Sequence, residues 1–221
     1  MLLQSKILSQ IPNLSHGFGT GEFAFEDYFS TRDISIPQTH QIHSDIVINL
    51  AHTAQTEILE GDAFITDQPG SLCYIRTADC VPILIADKKR MAIAAVHAGW
   101  KGTHQNIVSK TLIAMKESFG TNAGDCMAAI GPAICSSCYE VGDEVIDALS
   151  QLPIAIDEHL TGMNIDLSGI NASLLEKAGV NKENIEQLGL CTKCDERFNS
   201  YRKNRTAGRQ ISFIIKTEER I

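Results

Sequence analysis

Seven cysteines and seven histidines stand in a chain of 221 residues, which makes a metal site the first chemistry to consider. An odd number of cysteines cannot all close intrachain disulfides. The richest stretch runs through Asp79, Cys80, Val81 and Pro82 to His97. Two apolar runs, 81–86 and 91–97, flank the polar tetrad Asp87-Lys88-Lys89-Arg90, which reads as a short hairpin loop. With that loop, Ala86 lies opposite Met91, and counting back in register puts Cys80 opposite His97. Directly opposed residues have Cβ atoms about 4.5–5.5 Å apart on one face. That spacing suits two ligands of one ion, or a thiol meeting its base. A slip of one residue would send one side chain to the wrong face. Pro82 cannot donate to a ladder, so pairing is expected to fail beside Cys80. Asp79 then either faces away or sits on a bulge, where it orients a ligand. The ordinary alternative is a buried core cysteine with a histidine at a strand end.

A third donor lies upstream in His40-Gln41-Ile42-His43-Ser44-Asp45. Residues 41–48 read as a strand, on which two histidines three apart face opposite ways. One of them is therefore expected in the site. Two imidazoles and one thiolate leave the fourth position of zinc open, the catalytic arrangement. Two further pairs, Cys135-Ser136-Ser137-Cys138 and Cys191-Thr192-Lys193-Cys194, have Cys-x-x-Cys spacing. Their 52 intervening residues exceed the usual ribbon spacing and carry two helix-like patterns, so they read as partly buried thiols near a pocket wall. After His97, the turn Ala98-Gly99-Trp100-Lys101-Gly102-Thr103 feeds a helix and offers free N–H groups to an anion, though without Walker A spacing. Its plainer reading is a tight strand-to-helix turn with Trp100 in the core. Near the C-terminus, Arg197, Arg202, Lys203, Arg205, Arg209 and Lys216 run with no acidic residue among them. Arginine forks suit phosphate or carboxylate, and the same charges would also guard an edge strand.

The elements that must position these residues follow from periodicity. Strand-length apolar runs cover 72–76, 81–86, 91–97, 126–130 and 211–215. Helical spacing marks 104–118, 141–149 and 167–178, with Asp166 as a cap before the last and Gly179 as a stop after it. Strands and helices mix without a βαβ rhythm, so the expectation is a mixed sheet, α+β in character. No repeat or linker divides the chain, which reads as a single domain over 1–221, thinnest at 53–60. Hydrophobic residues make up 43% and the net charge is −8, from 27 acidic against 19 basic residues. That composition excludes a disordered chain and argues against nucleic acid as a partner. No apolar segment is long enough for a bilayer, and the N-terminus lacks a cleavage signature. The reading is no membrane and a cytoplasmic location, where thiols stay reduced.

Several blocks together resemble a known family: Gln41-Ile42-His43, Ala78-Asp79-Cys80-Val81-Pro82, Val96-His97-Ala98-Gly99-Trp100-Lys101-Gly102-Thr103, Ile130-Gly131-Pro132-Ala133-Ile134, Tyr139-Glu140-Val141-Gly142, and Ser200-Tyr201-Arg202 with Gly208-Arg209. Their order and content, over about residues 40–216, resemble the YfiH-like laccase-domain family, also labelled polyphenol oxidase or peptidoglycan editing factor. The resemblance implies a zinc-dependent purine nucleoside phosphorylase with adenosine deaminase and methylthioadenosine phosphorylase activities. It implies a compact α+β fold of mixed β-sheets packed together and flanked by helices, His43, Cys80 and His97 as zinc ligands, and purine nucleosides and phosphate as partners. Asp79 is then the candidate catalytic residue, and Lys101, Arg202 and Arg209 are candidates for binding substrate or phosphate. Zinc would act as Lewis acid and water activator. The chain departs from the family over about 17–39: after His16-Gly17-Phe18 the passage to His40 is short, and an arginine expected near the substrate is missing unless Arg32 replaces it.

Two other classes compete. A hydrolase of peptidoglycan precursors would use Cys80 as nucleophile and His97 as base. A non-catalytic binding module would hold zinc on the two Cys-x-x-Cys pairs. A multicopper oxidase should show His-x-His ligand pairs, and the sequence has none.

Overall fold

The computed structural model describes residues 1–31, 34–53, 58–205 and 207–217. In chain order the strands are β1 (Leu2–Leu3), β2 (Leu14–Gly19), β3 (Gln38–His40), β4 (Val47–Asn49), β5 (Ile58–Glu60), β6 (Ala63–Thr66) and β7 (Leu72–Thr77). They continue as β8 (Val81–Asp87), β9 (Ile93–Ala98), β10 (Cys126–Ile130), β11 (Leu160–Thr161), β12 (Asn164–Ile165), β13 (Ile185–Gln187) and β14 (Gln210–Lys216). The helices are α1 (Phe25–Phe29), α2 (Trp100–His104), α3 (Ile107–Phe119), α4 (Asp143–Leu149), α5 (Leu167–Lys177) and α6 (Tyr201–Asn204). A four-stranded sheet runs β1-β2-β14-β7, and a six-stranded mixed sheet runs β13-β10-β8-β9-β6-β4. This is the expected α+β architecture.

Alternation along the strands shows how the layers stack. In β8, Val81, Ile83 and Ile85 join a core with Ile107, Leu112 and Leu174 of the helices, while Leu84 and Ala86 join Ile75 and Ile214 of the other sheet. The four-stranded sheet is buried on its far side too, where Phe213 and Tyr74 pack on Phe25 and Phe29. With both faces covered, the central strands can be apolar throughout, which is why they read as continuous runs. Cys80 and His97 have the parity of Leu84 and Ala95. They therefore belong to the face between the sheets, at one end.

Two local expectations change. The hairpin turn is longer than the tetrad: Ala86 pairs with Ile93 and Pro82 with His97. Asp87 causes this, because its carboxylate accepts from the N–H groups of Lys89 and Arg90, and Met91 closes the turn at φ 57°. Cys80 is thus diagonal to His97. The shift is two residues, an even number, so both side chains keep the same face. Pairing also reaches through Pro82, whose carbonyl accepts from Gly131 N–H at 2.9 Å. Next, the helix expected over 104–118 begins at Trp100, and it breaks at Asn106 (φ 60°) before α3. Trp100 is half-buried, packed at the edge of the core. Asp166 caps α5 through Gly169 N–H, and Gly179 stops it at φ 102°. Part of the thin stretch at 53–60 lies outside the described residues, as does Arg32. Among the described residues no helix is long and apolar enough to cross a membrane.

Candidate functional site

Asp62, one residue before β6, organises one cluster. Its carboxylate is fully buried and accepts from His97 Nδ1 at 2.7 Å. It also accepts from the N–H groups of Ile42 (3.2 Å), His43 (3.1 Å) and Ser44 (2.6 Å), and from Ser44 Oγ at 2.7 Å. A carboxylate can only accept, so Nδ1 of His97 carries the proton and Nε2 is left for another partner. These same bonds explain why residues 41–46 are not the expected strand. Their N–H groups go to one side chain about 20 residues on, and the chain turns, with His43 at φ 58°.

His43, Cys80 and His97 converge, their donor atoms all within 4.8 Å of one another. His40, the other upstream histidine, instead faces Glu60 at 3.3 Å. The imidazoles of His43 and His97 meet edge to face, 4.9 Å between centroids. Gly99 makes room: a Cβ there would lie 3.1 Å from Cys80 Sγ and 3.4 Å from His43 Cδ2. Burial opposes ionisation of Cys80, yet the charge of His97 and a hydrogen bond from His43 bring its thiol down to about 6. Burial likewise works against a charged His97, but the Cys80 thiolate and Asp62 raise it to about 9. For Asp62, His97 and Ser44 outweigh the cost of burial and hold the carboxyl at about 2. A thiolate and two oriented imidazoles fit a tetrahedral metal with one position open.

The cluster forms one end of a cavity of about 520 Å³, within the usual range for small-molecule sites. Arg76, Arg202 and Arg209 lie on its wall. The Arg202 guanidinium sits 5.1 Å from the Tyr139 ring centre and donates to the Glu140 carbonyl at 2.8 Å. Lys101 is not among the lining residues; its ammonium lies over the Trp100 ring, 5.7 Å from the centre. Of the other basic residues, Arg197 pairs with Asp195 and Lys203 with Glu196. Arg76 was not singled out from the sequence, although a lone charge near the end of an apolar strand was a usable signal. Asp79 also lines the cavity, at φ 89°. Its carboxylate accepts from Thr192 Oγ1 at 2.7 Å and Arg202 N–H at 2.6 Å, and its carbonyl from Ile134 N–H at 3.0 Å. Asp79 thus ties three wall segments together.

Of the Cys-x-x-Cys thiols, read as partly buried, three are half-buried and Cys194 is exposed. Cys135, Cys138, Cys191 and Cys194 form a second cluster, their sulfurs all within 4.8 Å of one another. Sequence spacing missed this because a bridge between Ala133 and Cys191 closes the long separation.

Residues 25–217 match the family described as multi-copper polyphenol oxidoreductase laccase. This chain belongs to that family. Within it, the chain is 40% identical over 195 residues to a purine nucleoside phosphorylase of Clostridium acetobutylicum, covering 86% of this chain and 80% of that one. It is 35% identical over 171 residues to the adenosine deaminase RL5 of an unknown prokaryotic organism, covering 73% and 65%. Among solved structures, the hypothetical protein YfiH of Bacillus licheniformis superposes with a TM-score of 0.85 at 28% identity, covering 91% and 92% of the two chains. The overall fold is thus shared with that protein, and the relatives' names point to purine nucleosides.

Proposed function

We propose that this chain is a zinc-dependent purine nucleoside phosphorylase that also deaminates adenosine and phosphorolyses methylthioadenosine. The observation that carries the reading is the His43–Cys80–His97 donor set opening into a cavity walled by arginines. The names of the relatives support it. His43, Cys80 and His97 would hold the zinc, which when bound supplies a Lewis acid for water or a substrate oxygen.

The chain's own residues do the rest. Asp62 fixes the ring and tautomer of His97. Arg202 and Arg209, with Arg76 on the same wall, offer cationic hydrogen-bond donors to phosphate; Lys101 does not line the cavity. In phosphorolysis a phosphate oxygen forms a bond to C1′ of the ribose as the bond from C1′ to the purine nitrogen breaks. The purine leaves with the electron pair and takes a proton. In deamination, water adds at C6 and ammonia leaves, so a proton moves from water to the departing amine. Asp79, held by Thr192 and the Arg202 N–H, would be the carboxylate that carries such a proton.

Incubation of the purified protein with adenosine should give adenine and ribose 1-phosphate when phosphate is present, and inosine through deamination. His97→Ala should lose one zinc per chain together with both activities. Full zinc content and full turnover in that variant would overturn the assignment. So would activity that survives chelation and stops on alkylation of Cys80, the mark of a cysteine hydrolase.

A further inference from the structure

We propose that Cys135, Cys138, Cys191 and Cys194 form a second metal site, which binds one zinc ion on four thiolates and staples the cavity wall. Zinc–sulfur bonds of about 2.3 Å in a tetrahedron put the sulfurs about 3.8 Å apart. The four sulfurs here stand within 4.8 Å of one another, with Cys138 and Cys194 at 3.4 Å. A bonded disulfide would need about 2.05 Å, and all four are free thiols. The cluster is not core packing. Three members are half-buried and Cys194 is exposed, whereas thiols that serve only as small hydrophobes are buried.

The backbone supports four ligands. Cys135 and Cys138 sit at the two ends of one tight turn, closed by Cys138 N–H on the Cys135 carbonyl at 3.0 Å. Cys191 and Cys194 occupy a second turn, in which Asp195 N–H reaches the Cys191 carbonyl at 3.0 Å. The turns face each other, and Cys135 N–H donates to Cys191 Sγ at 3.3 Å. An N–H aimed at sulfur stabilises thiolate, the form a metal needs.

The location gives the site a purpose. Residues 188–200, between β13 and α6, contain no helix or strand; hydrogen bonds to Ala133 and Asp79 hold part of this connection, and an ion would tie it to the turn at 135–138. Thr192, whose hydroxyl donates to Asp79, lies between two of the ligands. Tyr139, whose ring lies beside the Arg202 guanidinium, follows a third. One ion would therefore fix both wall segments that position Asp79 and Arg202.

Metal content of the full-length protein, purified under reducing conditions without added metal, tests this. Cys138→Ser/Cys194→Ser should hold one zinc fewer per chain than the wild type. His43→Ala/His97→Ala should keep the zinc of the four-cysteine site, so this proposal and the proposed function fail separately. Equal metal in the cysteine variant and the wild type overturns the second site. Should that variant not fold, the wild type reconstituted with cobalt should show the strong charge-transfer and red absorption of a four-thiolate ion. A spectrum with only the weaker bands of a single thiolate overturns the proposal. Seven titratable thiols are expected after denaturation with chelator and no reductant; a count of three would mean two disulfides and also overturns it.

Discussion

The two cysteine-bearing clusters are built in opposite ways. His97 stands on a central strand, Cys80 immediately precedes another, and buried Asp62 holds both His97 and the turn carrying His43. The Cys-x-x-Cys cluster instead stands on two turns outside the main sheets, joined to the rest by isolated bridges and loop hydrogen bonds. The first site is preorganised by the fold, and metal adds chemistry to geometry that already exists. In the second, metal would cross-link two turns that otherwise meet only through loop hydrogen bonds. Losing the first ion should therefore remove activity and spare structure, while losing the second should loosen structure and reduce activity only through the wall.

The largest expected effect breaks the comparison at its preorganised side. His97→Ala should lower adenosine turnover by at least about 100-fold, since a Lewis acid is worth several kcal/mol of transition-state stabilisation. Its circular dichroism should stay that of the wild type; unfolding would show that this site too depends on metal for order. Asp62→Asn should weaken zinc binding about 10–100-fold by removing the carboxylate that orients His97, with turnover recovering in excess zinc. No recovery would mean that Asp62 only supports the turn.

On the other side, Cys138→Ser/Cys194→Ser should remove a cross-link worth about 2–4 kcal/mol. That lowers Tm by roughly 4–16 °C, and hydrogen exchange should quicken over residues 188–200. Unchanged exchange there would deny the staple its role. Arg202→Ala joins the two sites, and is expected to raise KM for phosphate about tenfold with metal content unaltered, as measured by initial rates and metal analysis.

The smallest effect gives a baseline remote from both clusters. Burial lowers the pKa of His16 below its ordinary 6.5, and its Nε2 accepts from Ser5 N–H at 3.0 Å. The unfolded chain therefore binds a proton that the folded chain resists. Stability from this group is complete above pH 6.5 and is lost as pH falls below it, by at most about 1.4 kcal/mol per pH unit. His16→Gln should flatten Tm against pH between 6.5 and 5.5; an unchanged slope would show that His16 does not set the acid sensitivity.

The apolar runs, the helical spacings and the Asp166 cap were legible because they depend on neighbours within a few residues. Cys80 and His97 were legible for a subtler reason. The register was misjudged by two, but the period of a strand is also two, so the face came out right. Residues 41–46 were misread because the N–H groups of Ile42, His43 and Ser44 go to Asp62, and nothing local marks that residue as an acceptor. Lys101 looked like an anion ligand beside a glycine turn, yet its side chain lies over Trp100, away from the cavity. Arg76 became a cavity residue only once β7 came beside the end of β8.

By itself, then, the sequence determined the fold class, the place of the long central strands and longer helices, and the chemical types present: thiols, imidazoles and a basic C-terminal run. Those follow from local periodicity and composition. Tertiary structure decided which donors meet. Asp62 gathers His43 to His97 from about 20 and 35 residues away, and four cysteines join across a separation of 56. Such meetings depend on how the sheets and loops close in space, and no local pattern along the chain records that closure.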